Sequence, residues 1–340
     1  MSITVALRHR TSYSFDRPTE VHPHLLRLRP AAHSRTPIRS YSLTVEPGEH
    51  FCNWQQDPYG NFVARLVFPA PTEQLVFDVE LVAELISINP FDFFVADEAV
   101  EFGFPAPVDR FAGLRPFLVT DGEDSPEVLG FVDGLDLDGT RTIDALVEIN
   151  GRLREVVDYS IRMEPGVQSP TETLRQRIGS CRDSSWLLVQ VLRRLGLPAR
   201  FVSGYLVQLT LDRPLPDGTV GTPHDFTDLH AWAEVYVPGA GWIGLDPTSG
   251  LFASEGHIPL AATPDPPAAA PIEGATGVTE VEFDFLNEVT RIHEDPRATK
   301  PYSDEQWEAI DRLGHAVDAA LAEQDVRLTM GGEPTFVGRD

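Results

Sequence analysis

Residues 179–198 read GSCRDSSWLLVQVLRRLGLP, and the rest of the chain can be placed around them. Leu187, Leu188, Val191, Leu192 and Leu195 recur at the three-and-four spacing that lays one apolar stripe along an α-helix. Gly196 and Pro198 then end the helix, glycine by freeing the exit turn and proline by refusing continuation. Cys181 therefore falls in the first turn. There, unpaired backbone N–H groups and the helix dipole favour a thiolate over a thiol.

On the C-terminal side, three β-prone runs follow: ARFVSGYLVQLTL (199–211), HAWAEVYV (230–237) and GWIGLDP (241–247), with Pro238-Gly239-Ala240-Gly241 as a hairpin turn between the last two. Residues 261–277 have the composition of a flexible linker, 278–292 read as one more strand, and an amphipathic helix is expected over about 303–322. On the N-terminal side, Ser169-Pro170-Thr171-Glu172 has the form of a capping box opening a short helix. Before it, Ile143, Leu146, Val147, Leu153, Val156 and Val157 predict a helix whose stripe Asn150 interrupts, and Asn150-Gly151 weakens the case for one unbroken element. Residues 2–90 alternate short β-prone runs with turn residues, among them Asp57-Pro58-Tyr59-Gly60-Asn61, the pattern of a sandwich or barrel. The predicted class is α+β: an N-terminal β-sandwich domain, then a core whose Cys181 helix packs on an antiparallel sheet. The expected boundaries are 1–92 for the β-rich domain, 93–140 for a connection, 141–292 for the core and 293–340 for a helical tail with the start of a further domain.

The chain has 340 residues and a formal charge of -25, which argues against nucleic acid as a partner because phosphate binding needs clustered Lys and Arg. Arg8, Arg10, Arg17, Arg27, Arg29, Arg35 and Arg39 face only Asp16 and Glu20 near the N-terminus, so this strip either docks on acidic surface elsewhere or is a solvated face. Cys52 and Cys181 form no CxxC pair, which suits a reducing cytoplasm, and neither a signal peptide nor a stretch of ~18 apolar residues is present. A cytoplasmic, membrane-free protein without cofactor or metal is expected.

Attack of a thiolate on an acyl carbon needs an imidazole to take and return a proton and a third group to orient it. His230 and Asp246 can fill those roles if an odd-numbered turn keeps them on one face of the hairpin; an even-numbered turn would separate them. Taken singly, a cysteine, a histidine on a strand or an Asp-Pro is more often structural. Trp232 packs the hairpin or walls the cleft, and Glu234 is read as structural. His224, Asp228 and His230 follow no zinc spacing.

The blocks 179–183 (GSCRD), 196–206 (GLPARFVSGYL), 230–236 (HAWAEVY) and 244–247 (GLDP) resemble, in order, the motifs of bacterial transglutaminase-like proteins, and 1–92 is similar to the N-terminal domain that accompanies that core. The resemblance implies a papain/transglutaminase-like core with Cys181 as nucleophile, His230 as base and Asp246 orienting it, and it assigns 261–277 to the core despite its composition. Arg182 and Ser184-Ser185 depart from the family pattern. Gln168, shortly upstream of the cysteine as in thiol proteases, is a candidate oxyanion donor beside the Cys181 N–H. The expected reaction is hydrolysis of a peptide or isopeptide-type amide in a peptide or protein substrate. The alternatives are transfer to an amine and a non-catalytic peptide-binding module. The ending MGGEPTFV resembles the opening of a second large domain, so a further C-terminal domain or a partner protein is expected.

Overall fold

The computed structural model describes residues 2–122, 125–162, 164–210, 221–295 and 302–323. Six strands open the chain: β1 (Ser2–Thr19), β2 (His24–Leu26), β3 (Ile38–Glu46), β4 (Phe51–Gln56), β5 (Phe62–Val67) and β6 (Thr72–Ile86). Helices α1 (Pro126–Asp133) and α2 (Thr142–Val156) follow, then β7 (Asp158–Tyr159), α3 (Pro170–Gln176), β8 (Ile178–Gly179) and α4 (Cys181–Arg194). Next come β9 (Ala199–Gln208), β10 (Phe226–Val237), β11 (Gly241–Asp246), β12 (Leu251–Phe252), β13 (His257–Thr263), β14 (Ile272–Glu273), β15 (Val281–Glu294) and a last helix, α5 (Asp304–Glu323).

Two four-stranded sheets, ordered β15-β1-β6-β3 and β14-β2-β5-β4, make the sandwich. Alternate residues of β1 and β6, among them Leu7, Phe77, Val79 and Leu81, turn inward and meet Leu26, Ala64 and Leu66 of the facing sheet. The strand expected at 278–292 lies at Val281–Glu294, and its partner is β1, in antiparallel register from Ile3↔Glu294 to Phe15↔Val281. That segment, placed by the sequence in the core domain, thus belongs to the sandwich. The correction has a simple cause: β1 has two edges to pair, and β6 fills only one of them. The linker-like stretch is likewise structured, since Ala261, Ala262 and Thr263 are buried on β13. The sequence ending MGGEPTFVGRD lies outside the described residues.

The core sheet runs β12-β11-β10-β9-β13. Its inner face, with Ala231, Ala233, Val235, Ile243 and Leu245, packs on Leu187, Leu188, Val191 and Leu192 of α4, while α2 adds Leu146, Ile149 and Leu153. Helix α2 is unbroken through Asn150, whose buried carboxamide donates to the carbonyls of Asp246 (3.3 Å) and Leu251 (3.1 Å). Both amide hydrogens of this buried polar residue are thus used, while its Oδ1 has no hydrogen-bond partner among the described residues.

Two polar contacts are among those that seat the sandwich on the core. His9 of β1 bonds the Tyr205 hydroxyl through Nδ1 at 2.9 Å, and burial pushes this histidine down to about 4, so it sits neutral in the interface. The turn at 57–61 supplies the other. Gly60 adopts φ 87°, Asp57 Oδ1 accepts the N–H groups of Tyr59 and Asn61, and Asn61 then pairs both ways with the backbone of Ala262 on β13. A motif that looks like a bare turn in sequence is a docking pin.

At the start of α4, Asp183 is buried and accepts the Ser180 N–H at 2.9 Å, the Ser180 hydroxyl at 2.8 Å, the Gln168 N–H at 2.8 Å and Arg162 Nε at 3.0 Å. Burial alone would raise its pKa, but these donors hold it below the usual carboxylate range. Asp183→Ala is expected to destabilise the fold by roughly 2–4 kcal/mol, because it leaves the Ser180 and Gln168 N–H donors unpaired and takes the carboxylate from a partly buried Arg162. Guanidinium unfolding of the variant against the parent measures it, and a loss below about 1 kcal/mol would contradict it.

Candidate active site

Cys181 occupies the first position of α4 and is partly open to solvent. His230 lies on β10 and Asp246 closes β11. The hairpin register pairs Val237 with Gly241 and Ala233 with Leu245, leaving three turn residues, 238–240. This is the odd-numbered turn that keeps both side chains on one face, with Asp246 placed diagonally from His230. His230 Nε2 stands 3.2 Å from Asp246 Oδ2, at ion-pair distance but with its N–H aimed obliquely to that oxygen. Cys181 is the ring's other side-chain partner.

Burial opposes a charge on His230, but its bonds to Asp246 and Cys181 and the charges they carry outweigh that cost and push it up to about 10. Asp246 is buried as well, and its donors drive its pKa well below the ordinary carboxylate range. At neutral pH the histidine is therefore an imidazolium held between a carboxylate and a sulfur.

Asp246 has more donors than the sequence suggested. Oδ1 accepts the Thr248 N–H at 2.9 Å, while Oδ2 accepts the Ser249 hydroxyl at 3.1 Å and His257 Nε2 at 3.4 Å. His257, on β13, was missed because it stands among small and apolar residues with no motif around it. The ligand atoms of His230, Asp246 and His257 lie within 4.8 Å of one another, a spacing that could hold a cation. The tautomer argues for a proton instead. His257 Nδ1 accepts the Ser254 N–H at 3.2 Å, so the hydrogen of the neutral ring is on Nε2, facing Asp246.

Trp232 is a buried floor rather than a cleft wall. Its ring stacks with His230 (centroids 6.4 Å apart, 26° between planes) and meets His257 edge-on (5.2 Å, 83°). Gly204, opposite His230 on β9, makes room for it: a Cβ there would lie 2.4 Å from the indole and 2.3 Å from the Ile258 carbonyl oxygen. Glu234, read as structural, pairs with Arg200 behind this floor and is held down to about 2, burial opposed by the guanidinium.

Gln168 contributes its backbone N–H to Asp183, while its carboxamide faces Thr173 (3.2 Å) and Gln176 (3.5 Å). Its side chain is thus committed to α3 rather than turned to Cys181. Arg182, one of the departures from the family pattern, donates to the carbonyls of Arg162 (2.9 Å) and Glu164 (3.1 Å), while Ser184 and Ser185 are buried beneath the helix. Sequence reasoning also missed Tyr159. It is half exposed on β7, paired with Gly179 two residues ahead of Cys181. Asp228, considered in sequence only as a metal ligand, points to the same face as His230; burial raises its pKa, and its Oδ1 accepts Asn287 Nδ2 at 2.7 Å.

Residues 5–84 match the family model of the bacterial transglutaminase-like N-terminal region, 131–247 that of the transglutaminase-like superfamily, and 277–340 one described as "Putative amidoligase enzyme (DUF2126)". Over 287 residues the chain is 27% identical to an uncharacterized protein of Mycobacterium leprae, which takes in 84% of this chain and 97% of that one. A stretch of 73 residues is 40% identical to protein-glutamine gamma-glutamyltransferase of Pseudomonas aeruginosa, 21% of this chain but 10% of that protein. A solved structure from Cytophaga hutchinsonii, described as a "Putative Cysteine Protease", shares the fold with a TM-score of 0.65 at 19% identity, over 87% of this chain and 93% of that one. Among the described residues no helix is long and apolar enough to cross a membrane.

A histidine that moves from 6.5 unfolded to about 10 folded contributes stability fully below pH 6.5 and loses it as the pH climbs through 10. The gap in unfolding free energy between the parent and His230→Asn is therefore expected to be widest below pH 6.5 and to shrink toward pH 10 in urea titrations. A gap that widens with pH would contradict the imidazolium.

Proposed function

Because this chain belongs to the transglutaminase-like superfamily, with the bacterial N-terminal region ahead of its core, we propose that it is a thiol-dependent acyl-transfer enzyme hydrolysing peptide or isopeptide-type amides through Cys181, His230 and Asp246. The observation that carries the reading is the seating of one imidazole 3.2 Å from a buried carboxylate, with a cysteine that opens α4 as its other partner. The Cys181 thiolate attacks the amide carbon and a C–S bond forms. The Cys181 N–H, free at the start of α4, is one donor to the developing oxyanion. The C–N bond then breaks as the imidazolium hydrogen passes to the departing amine. Water attacks the acyl-thioester, His230 takes its proton, and breaking of the C–S bond releases the acid and restores the thiolate.

Hydrolysis is favoured here by the partial exposure of Cys181, since transfer to an amine demands that water be kept from the thioester. Transfer to an amine is the second reading, and the stretch shared with the Pseudomonas aeruginosa gamma-glutamyltransferase supports it. Both readings use the same thioester.

One experiment separates them: a panel of peptide, glutaminyl and isopeptide amides is offered with and without a primary amine, and acid and amide products are followed by mass. Acid in excess over adduct is the expected result. Cys181→Ala and His230→Ala should lower turnover about 10⁶-fold and Asp246→Asn about 10⁴-fold, with folding intact. Adduct in excess would replace hydrolysis by transfer, and unchanged turnover in Cys181→Ala would remove the chemistry altogether.

Iodoacetamide at one equivalent should label Cys181 before Cys52, whose thiol is pushed up by burial. Peptide mapping of the adduct checks this, and preferential labelling of Cys52 would count against it.

A further inference from the structure

Two histidines share one oxygen of Asp246, and only one of them touches the thiol. His230 Nε2 is 3.2 Å and His257 Nε2 3.4 Å from Asp246 Oδ2. His257 is fixed at both ends of its ring. Its Nδ1 takes the Ser254 N–H at 3.2 Å, and its ring makes a T-shaped contact with Trp232, which also floors His230. The strand that carries it is pinned in turn, since Ala262 of β13 is bonded both ways by Asn61 of the sandwich.

We infer that His257 is a positioning residue for the proposed thiol chemistry: its Nε2–H locks the Asp246 carboxylate in the rotamer that faces His230, making a four-member line from Cys181 to β13. The inference rests on the reading of Cys181 and His230 given above. A neutral donor suits this task better than a second charge. It orients the carboxylate without competing for its full negative charge, so the carboxylate still holds the His230 imidazolium. Ser254 favours that arrangement, because its N–H is accepted at Nδ1 and so leaves Nε2 as the donor to Asp246.

The test is the rate at which iodoacetamide captures Cys181 at neutral pH, read by mass and normalised to the fraction of Cys181 that labels at completion. His257→Phe keeps the ring and its contact with Trp232 but removes the donor, whereas His257→Gln returns an N–H near the Nε2 position. Capture is expected to slow about tenfold in the Phe variant and to recover to within about threefold of the parent in the Gln variant, with complete labelling in both. A Phe variant as fast as the parent overturns the inference. So does a Gln variant as slow as Phe with an equal fall in melting temperature, which is the mark of a purely structural part. Cys181 inert in the parent, or captured equally fast in His230→Ala, overturns the thiol reading and the inference with it. Failure of the inference alone leaves the His230 dependence intact.

Discussion

A buried carboxylate is the constraint around which this molecule is arranged. Asp246 is almost wholly out of water, where an unpaired charge would cost several kcal/mol. Its two oxygens are met by a backbone N–H, a hydroxyl and two imidazoles. Those donors come from three places: the turn after β11, the middle of β10 and the start of β13. Meeting them fixes how three strands sit relative to one another. Asn150 of α2 then ties the backbone of the same residue to the helix layer, so even the carbonyl of Asp246 is used.

The same logic explains why the sandwich is more than an appendage. Tyr205, Val207, Ile258 and Leu260 leave the core sheet to finish the sandwich interior. On the other flank, β15 reaches toward the strand that carries the histidine: Asn287 holds Asp228, and Arg291 grips Asp225 through two nitrogens at 2.7 and 2.8 Å. The Arg291 ion pair holds Asp225 down to about 2. Charge on β15 is thus spent on the segment just ahead of β10, whose placement decides where His230 stands. That β15 falls inside the span matched by the amidoligase model makes this strand a shared element, paired with the sandwich and bonded to the core.

Local chemistry was legible in the sequence and long-range pairing was not. The α4 stripe, the glycine and proline that end it and the short turn of the hairpin are set by neighbours a few residues apart, so periodicity and turn residues reveal them. Cys181, His230 and Asp246 could be named because the motif blocks carry them, although their shared face depended on a register that only the turn length decides. His257 carries no local signal, for its partner is eleven residues away across a strand crossing. The return of β15 to β1 spans almost the whole chain, and no periodic pattern encodes which edge a strand will choose. Gln168 failed for the opposite reason. Its position upstream of the cysteine matched an analogy, but Thr173 and Gln176, one and two helical turns along, lie within reach and engage its carboxamide first.

Space, as much as charge, limits how such a site can vary. Trp232 lies nearly parallel to the His230 ring and edge-on to His257, and the sheet admits it where Gly204 lacks a side chain. A Cβ at Gly204 would strike the indole, and one at Gly244 would come within 2.5 Å of Ala253 while touching the indole at 3.6 Å. A smaller residue in place of Trp232 would remove the indole from the path of a Cβ at Gly204 but leave the Ile258 carbonyl oxygen there, and it would open a void under His230, whose ring would then lack support on the line joining thiol and carboxylate. Gly204 is therefore held by both the indole of Trp232 and the Ile258 carbonyl, and Gly244 by Ala253. Gly204 and Trp232 sit within the blocks 196–206 and 230–236, so the sequence motif records a steric bargain together with the chemical one.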